Sequence, residues 1–235
     1  MKQSELDAKA LASAFDAEMR ALAVPNTPNA RAVRRRYSQR LKKAAPEHVL
    51  AVARELFKIP EHRWAAYEIL AAHKPAFQNL GGAEIEAFGQ GINSWWTVDS
   101  FARTLAGPAW LHGQVSDALI HKWARSPDVW WRRAALVSTV AWNVRSKGGP
   151  GDVPRTLVVC RMLAADHEDM VVKALSWALR ELVAHDAQAV RGFLEEYAPV
   201  LAARVKYEVG NKLRTGLKNP GRRCTARVFA QDKES

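Results

Sequence analysis

The sequence predicts an all-α chain, wound as a solenoid of paired helices with a strongly basic surface. Three observations predict it. Apolar residues recur every three to four positions almost throughout the 235 residues, and the period-two alternation of a half-buried strand is missing. Helix start signals punctuate the chain again and again. The charge is one-sided: 35 Lys and Arg against 24 Asp and Glu leave +11, with a pI near 9.9. Such an excess favours an anionic partner, although an unspecialised basic surface would give the same total.

The chain opens on MKQSELDAKALASAFDAEMRAL, a charged amphipathic helix and not a signal peptide. After a break over residues 23–29, Thr27-Pro28 starts a basic helix carrying Arg31, Arg34, Arg35, Arg36, Arg40, Lys42 and Lys43 with no acid among them. Surface helices usually mix signs to gain i,i+4 pairs, so the unmixed run suggests phosphate contact; a solvated basic face is the alternative. Pro46-Glu47 opens the next helix and Pro60-Glu61 opens the segment EHRWAAYEILAAH. Breaks come at residues 81–82 and 91–94, and then NSWWTVDSFA starts another helix. Asp99 there is either an N-cap for Ser100 onward or a carboxylate held between aromatic walls, with Trp95 and Trp96 just upstream.

Gly107-Pro108 reads as a further break. Ser126-Pro127-Asp128 supplies a cap, a first-turn proline and an acid on the helix dipole. In the helix that these residues open, Val129, Leu136, Val137, Val140 and Val144 form one apolar stripe, and Arg133 falls inside it. A guanidinium there needs either a structural carboxylate or an external anion such as phosphate. The stretch KGGPGDVP over 147–154 is the plainest loop. Asp166 is read as the cap of HEDMVVKALSWALREL, with Asp169 in a capping-box position. Val171, Leu175, Ala178, Leu179 and Leu182 make its core stripe; Trp177 points the other way, beside Lys173 and Arg180. That Trp either packs on a neighbouring helix or belongs to a nucleic-acid contact surface.

Lys206, Lys212, Arg214 and Lys218 form a second basic cluster, and NPGRRCTARVFAQDKES beyond it loses periodicity. One repeat domain is therefore expected over residues 1–217, with a poorly ordered basic tail over 218–235. The two clearest helices start about forty residues apart, the spacing of HEAT-like helix pairs; a compact helical bundle is the alternative.

Several function classes leave no trace. The chain has no Walker loop, Rossmann glycine pattern, GxSxG or HExxH, and Cys160 and Cys224 show no metal spacing. No metal or other cofactor is expected, no membrane partner, and a reducing cytoplasm is the expected compartment. Nine tryptophans beside four tyrosines are unusual, since each buried indole N–H needs an acceptor.

The segments SWWTVDSFA, SPDVWWRRAALVSTV and VVKALSWALREL together resemble the AlkD-like DNA alkylation repair proteins, HEAT-like repeat DNA glycosylases. The likeness runs from about residue 25 to 217 and includes weaker matches in NTPNARAVRR and PEHRWAAYEIL. It implies a right-handed α-solenoid of HEAT-like repeats with a concave basic groove, and a monomer that excises cationic N3- and N7-alkylated purines from duplex DNA without a base-flipping pocket, in the cytoplasm and on the nucleoid when bound. By motif it makes Asp99 the catalytic carboxylate, Arg133 a phosphate contact and Trp177 the second site tryptophan. The family pattern has three residues between its Trp doublet and the aspartate, whereas here only Thr97 and Val98 intervene. Spacing from Asp99 favours Trp95 as the catalytic aromatic, and position in the doublet favours Trp96. Trp96, Arg132, Lys173, Arg180, Arg31, Arg34, Arg35, Lys206 and Lys212 complete the expected DNA-contact set. The shortened spacing leaves room for a catalytically silent protein that binds bent, branched or damaged DNA, and a peptide-binding scaffold is a third possibility.

Overall fold

The structure, a computed structural model, describes residues 3–145 and 149–220, with side chains from Asp7 onward. The start of the loop predicted at 147–154, most of the predicted tail and Cys224 lie outside the described residues. Every regular element described is helical. The helices fall into two compact units, Met1–Ser116 and Asp117–Ser235.

The first unit holds α1 (Gln3–Arg20), α2 (Thr27–Leu41), α3 (Pro46–Phe57), α4 (Arg63–Ala72), α5 (Lys74–Gln78), α6 (Gly82–Phe88), α7 (Trp95–Phe101) and α8 (Gly107–Leu111). Asn26 caps α2 by accepting from the Asn29 N–H, with Pro28 in the first turn where its missing N–H costs nothing. Helix α3 packs on α1 and α4, burying Val49, Val52, Ala53 and Leu56. Pro60–His62 forms a single 3₁₀ turn, so the helix expected from Pro60 begins properly at Arg63. Glu18 of α1 ties to α2 by accepting from Tyr37 at 2.9 Å and Arg36 at 2.6 Å. Burial first, and then Glu18, pushes the Tyr37 hydroxyl up to about 12.

The break expected at Gly107-Pro108 is absent. Residues Ala102–Ala106 form a π-helical turn that runs straight from α7 into α8, with the Gly107 N–H reaching the Ala102 carbonyl. The wider turn makes room for the Pro108 ring, which would clash with a carbonyl one ordinary turn back.

The second unit holds α9 (Asp117–Ala124), α10 (Val129–Asn143), α11 (Val153–Met162), α12 (Asp169–Leu182), α13 (Ala187–Glu196) and α14 (Ala203–Thr215). Helix α10 packs on α9, α11 and α12, and α12 packs in turn on α14. Alternate helices thus stack as rungs, α10 on α12 on α14, the paired-helix stacking of a repeat solenoid. Helix α10 is buried on all sides from Arg133 to Val140, beyond the single stripe its apolar residues define. Two predicted starts move. Asp128 is the α10 cap, accepting from the Trp130 N–H, while Ser126 Oγ accepts from the Asp128 N–H and Pro127 stands outside the helix. Asp166 does not cap α12; Glu168 holds that position, and the Asp166 carboxylate accepts from the Glu168 N–H and from Arg132.

Past α10 the chain turns tightly. The Gly151 N–H reaches the Trp142 carbonyl at 2.7 Å, His185 Nε2 donates to the Asn143 carbonyl at 2.8 Å, and Arg145 donates to the Ala184 carbonyl. Gly151 has φ +85°, and a Cβ there would run into the His185 ring.

Candidate functional site

In the first unit the site builds on α7. Tyr67, Val98, Phe101 and Leu105 are fully buried, and the Tyr67 and Phe101 rings lie 5.7 Å apart, which seats α7 against α4. The approach to α7 is held from behind by Arg63, whose Nη1 donates to the Gln90 carbonyl at 3.1 Å and the Gly91 carbonyl at 2.8 Å. Its guanidinium lies over Phe57, 4.5 Å from the ring centre. Gly91 takes φ +71°, and a Cβ on it would press on Arg63. Ser94 caps α7: its N–H donates to Thr97 Oγ1 at 3.2 Å, and Thr97 Oγ1 donates back to the Ser94 carbonyl at 2.9 Å.

With the cap at Ser94, Asp99 is not a helix cap; it sits within α7, half-buried. Trp95 and Trp96 precede it by four and three residues, so both share its helical face. Side chains in a helix lean toward its N-terminus, which carries the Asp99 carboxylate over the turn bearing the two indoles. Trp95 is 57% exposed and Trp96 44%, large for aromatic side chains in a folded unit.

Helix α2 does not present its basic run unanswered. Glu68 of α4 lies 2.8 Å from Arg34 and 3.4 Å from Arg31. Arg36 is taken by Glu18, Arg40 lies over Tyr37 at 5.2 Å, and Arg35 is exposed. The acids that local sequence lacks come from neighbouring helices.

In the second unit, Arg133 is 5% exposed, and its Nη1 donates to the Met170 carbonyl at 2.6 Å, in the first turn of α12. Arg132 is committed to the loop before its helix: Nε donates to Asp166 at 2.7 Å and Nη1 to the Ser126 and Pro127 carbonyls. Lys173, Trp177 and Arg180 recur at helical spacing on the one face of α12 that the core does not cover. Trp177 is half-buried, its indole N–H donating to Glu181 at 3.0 Å. Lys173 pairs with Asp169 at 2.6 Å, and that hydrogen bond holds the Asp169 carboxyl below its ordinary value. Arg180 Nε donates to Ser176 Oγ at 3.2 Å. On α14, Lys206 donates to the Ala198 carbonyl at 3.1 Å and Lys212 to the Gly216 carbonyl at 2.8 Å, closing a helix end.

Two residues went unremarked in the sequence. Ser176 is fully buried, and Glu208 of α14, 8% exposed, accepts its hydroxyl at 2.6 Å. The signal was available: Glu208 lies between Val205 and Val209, a charge inside an apolar stripe just as Arg133 is.

Among the described residues no three His, Cys, Asp or Glu side chains come together as a metal would need, and no helix is long and apolar enough to cross a membrane. Cys160 is buried, and burial pushes its thiol far above the ordinary thiol range. A comparison with curated proteins found no match. The family model described as DNA alkylation repair enzyme matches residues 2–212, nearly the whole length, and the chain belongs to that family.

Proposed function

We propose that this protein is a DNA glycosylase that removes cationic N3- and N7-alkylated purines from duplex DNA. The observation that carries the reading is Asp99, half-buried one helical turn beyond two exposed tryptophans, in a chain of the alkylation repair family. Alkylation at N3 or N7 makes the purine a cation, so it leaves as a neutral base when the C1′–N bond breaks. The protein must then supply negative charge for the oxocarbenium-like sugar and a water for C1′. Asp99 provides the charge and orients the water, whose proton passes to the carboxylate and then to solvent as the C1′–O bond forms. Trp95 or Trp96 lays an aromatic face against the deoxyribose.

The second unit supplies backbone contacts in this reading. Trp177 packs on sugar, and Lys173 and Arg180 beside it meet phosphates. Arg133, nearly buried and bonded to the Met170 carbonyl, supports the start of α12 in place of the phosphate contact that its motif implies. Arg35 on α2 and Lys206 on α14 add long-range attraction. The protein acts as a monomer on nucleoid DNA, without a base-flipping pocket, metal or other cofactor.

The test is release of free 7-methylguanine from methylated duplex DNA, comparing the native chain with Asp99→Asn. Release should persist in EDTA and fall by about 100-fold or more in the variant. Undiminished release from Asp99→Asn would remove Asp99 from the chemistry. A folded native chain that binds the duplex but releases nothing would be a silent DNA-binding protein, the reading that the shortened spacing after Trp96 leaves open.

A further inference from the structure

We propose that Ser176 and Glu208 are positioning residues that aim the Arg180 guanidinium at a DNA phosphate next to Trp177. The proposal rests on the reading of the α12 face as a DNA-backbone contact. A relay links α14 to that face. Glu208 Oε2 accepts from Ser176 Oγ at 2.6 Å, and Ser176 Oγ accepts from Arg180 Nε at 3.2 Å. Glu208 Oε2 itself stands 3.9 Å from Arg180 Nε, and Glu208 Oε1 is 3.2 Å from Lys218 Nζ.

The chemistry of the relay is asymmetric. Arg180 is held through Nε, and its two terminal nitrogens have no partner among the described residues. The side chain is 17% exposed, so it is neither solvated like a surface arginine nor paired like a core one. A guanidinium fixed at Nε keeps its outer edge, the edge that matches two phosphate oxygens, in one orientation. Burial lowers its pKa, and Glu208 and Glu181 offset that only in part, so the charge is under-compensated within the fold.

Stability alone is a weak reason for such a relay. Apolar residues of similar volume would seal α12 against α14 at least as well as a buried acid with its cations. An acid behind a DNA-contact face also costs affinity by simple Coulomb repulsion. Its retention at 8% exposure makes sense if its value lies in orientation.

That conflict gives a test whose sign is decisive. The full chain is titrated with a fluorescently labelled duplex carrying a stable abasic analogue, over a range of salt, so that catalysis plays no part in the readout. Arg180→Ala should weaken binding and lower the slope of log K against log salt by about 0.9, one phosphate contact. Ser176→Ala should weaken binding about five- to tenfold, and should change nothing further in the Arg180→Ala background. Glu208→Gln should weaken binding although it removes a negative charge. Tighter binding by Glu208→Gln, or Ser176→Ala binding like the native chain while Arg180→Ala is weak, overturns the relay and leaves the DNA-contact reading standing. If Glu208→Gln loses its helical circular dichroism, the Ser176→Ala cycle decides alone. A native chain with no affinity for the duplex removes the DNA-contact reading and the relay together.

Discussion

Replacing Arg133 with methionine separates two roles for a residue that its motif marks as a phosphate contact. Methionine keeps the unbranched apolar stem and removes the guanidinium, so packing within α10 changes little. The loss includes the 2.6 Å hydrogen bond from Nη1 to the Met170 carbonyl at the head of α12. A hydrogen bond from a charged donor contributes about 1.5–3 kcal/mol net. For a chain of this size each kcal/mol moves the melting midpoint by about 2–4 °C, so losing that bond alone should make Arg133→Met melt about 3–12 °C lower. Far-UV circular dichroism during heating measures that, and a salt titration of duplex affinity measures the phosphate role. We expect the lower midpoint with an unchanged salt slope. An unchanged midpoint with a slope reduced by about 0.9 would refute the structural reasoning and return Arg133 to the DNA backbone.

Gly151→Ala should destabilise the second unit by about 1–3 kcal/mol, because an alanine at φ +85° is strained and its Cβ meets His185; a midpoint in urea equal to the native one would contradict this. In a Cys224→Ser chain, Cys160 should not react with Ellman's reagent until denaturant is added, since burial keeps its thiol protonated; prompt labelling of the native fold would show the thiol to be accessible. Acid should unfold the protein partly through Glu18 and Glu208. Hydrogen bonds from Arg36 and Tyr37 lower Glu18; at Glu208, burial raises the value but the Ser176 hydrogen bond and Lys218 together outweigh it. Both carboxyls bind protons less tightly folded than unfolded, so their stabilisation is full above 4.5 and is lost as pH falls through their lowered values. The Glu18→Gln, Glu208→Gln chain should therefore lose less of its urea midpoint between about pH 6 and pH 3 than the native chain does; equal losses would refute the assignment.

Local pattern made α10 and α12 legible. Their apolar residues repeat at the helical period over more than three turns, and the loops beside α10 carry Pro and Gly. Short helices such as α5, α6 and α8 were not separable, because five to seven residues cannot display a period. The starts at Thr27 and Pro46 were right as read, the one at Pro60 came three residues early, and the caps read at Ser126 and Asp166 each moved two residues on. A proline beside a cap can sit inside the helix or just before it, and Pro127, one residue ahead of the Asp128 cap, sits before. Asp99, Trp95 and Trp96 were readable because they lie on one helix. The fate of the α2 arginines was not, since Glu18 and Glu68 reach them from elsewhere in the chain. Arg133 was found as a charge in an apolar stripe, but the backbone carbonyl it donates to, 37 residues on, leaves no mark in composition.

The stacking of α10 on α12 on α14 also orders how the second unit opens. In a stack of this kind each rung is stabilised chiefly by its neighbours, and α14 has α12 and α13 as principal neighbours where α10 has three helices around it. Among the three rungs, amide exchange should therefore be slowest in α10 and fastest along α14, which can detach while the rungs beneath stay folded. Detachment withdraws Glu208 from Ser176, so the relay would switch off in the opened fraction of molecules. The energy to open α14 alone then sets how much of the population holds Arg180 in place, and a bound duplex would be expected to slow exchange on α14 even where it makes no contact with that helix.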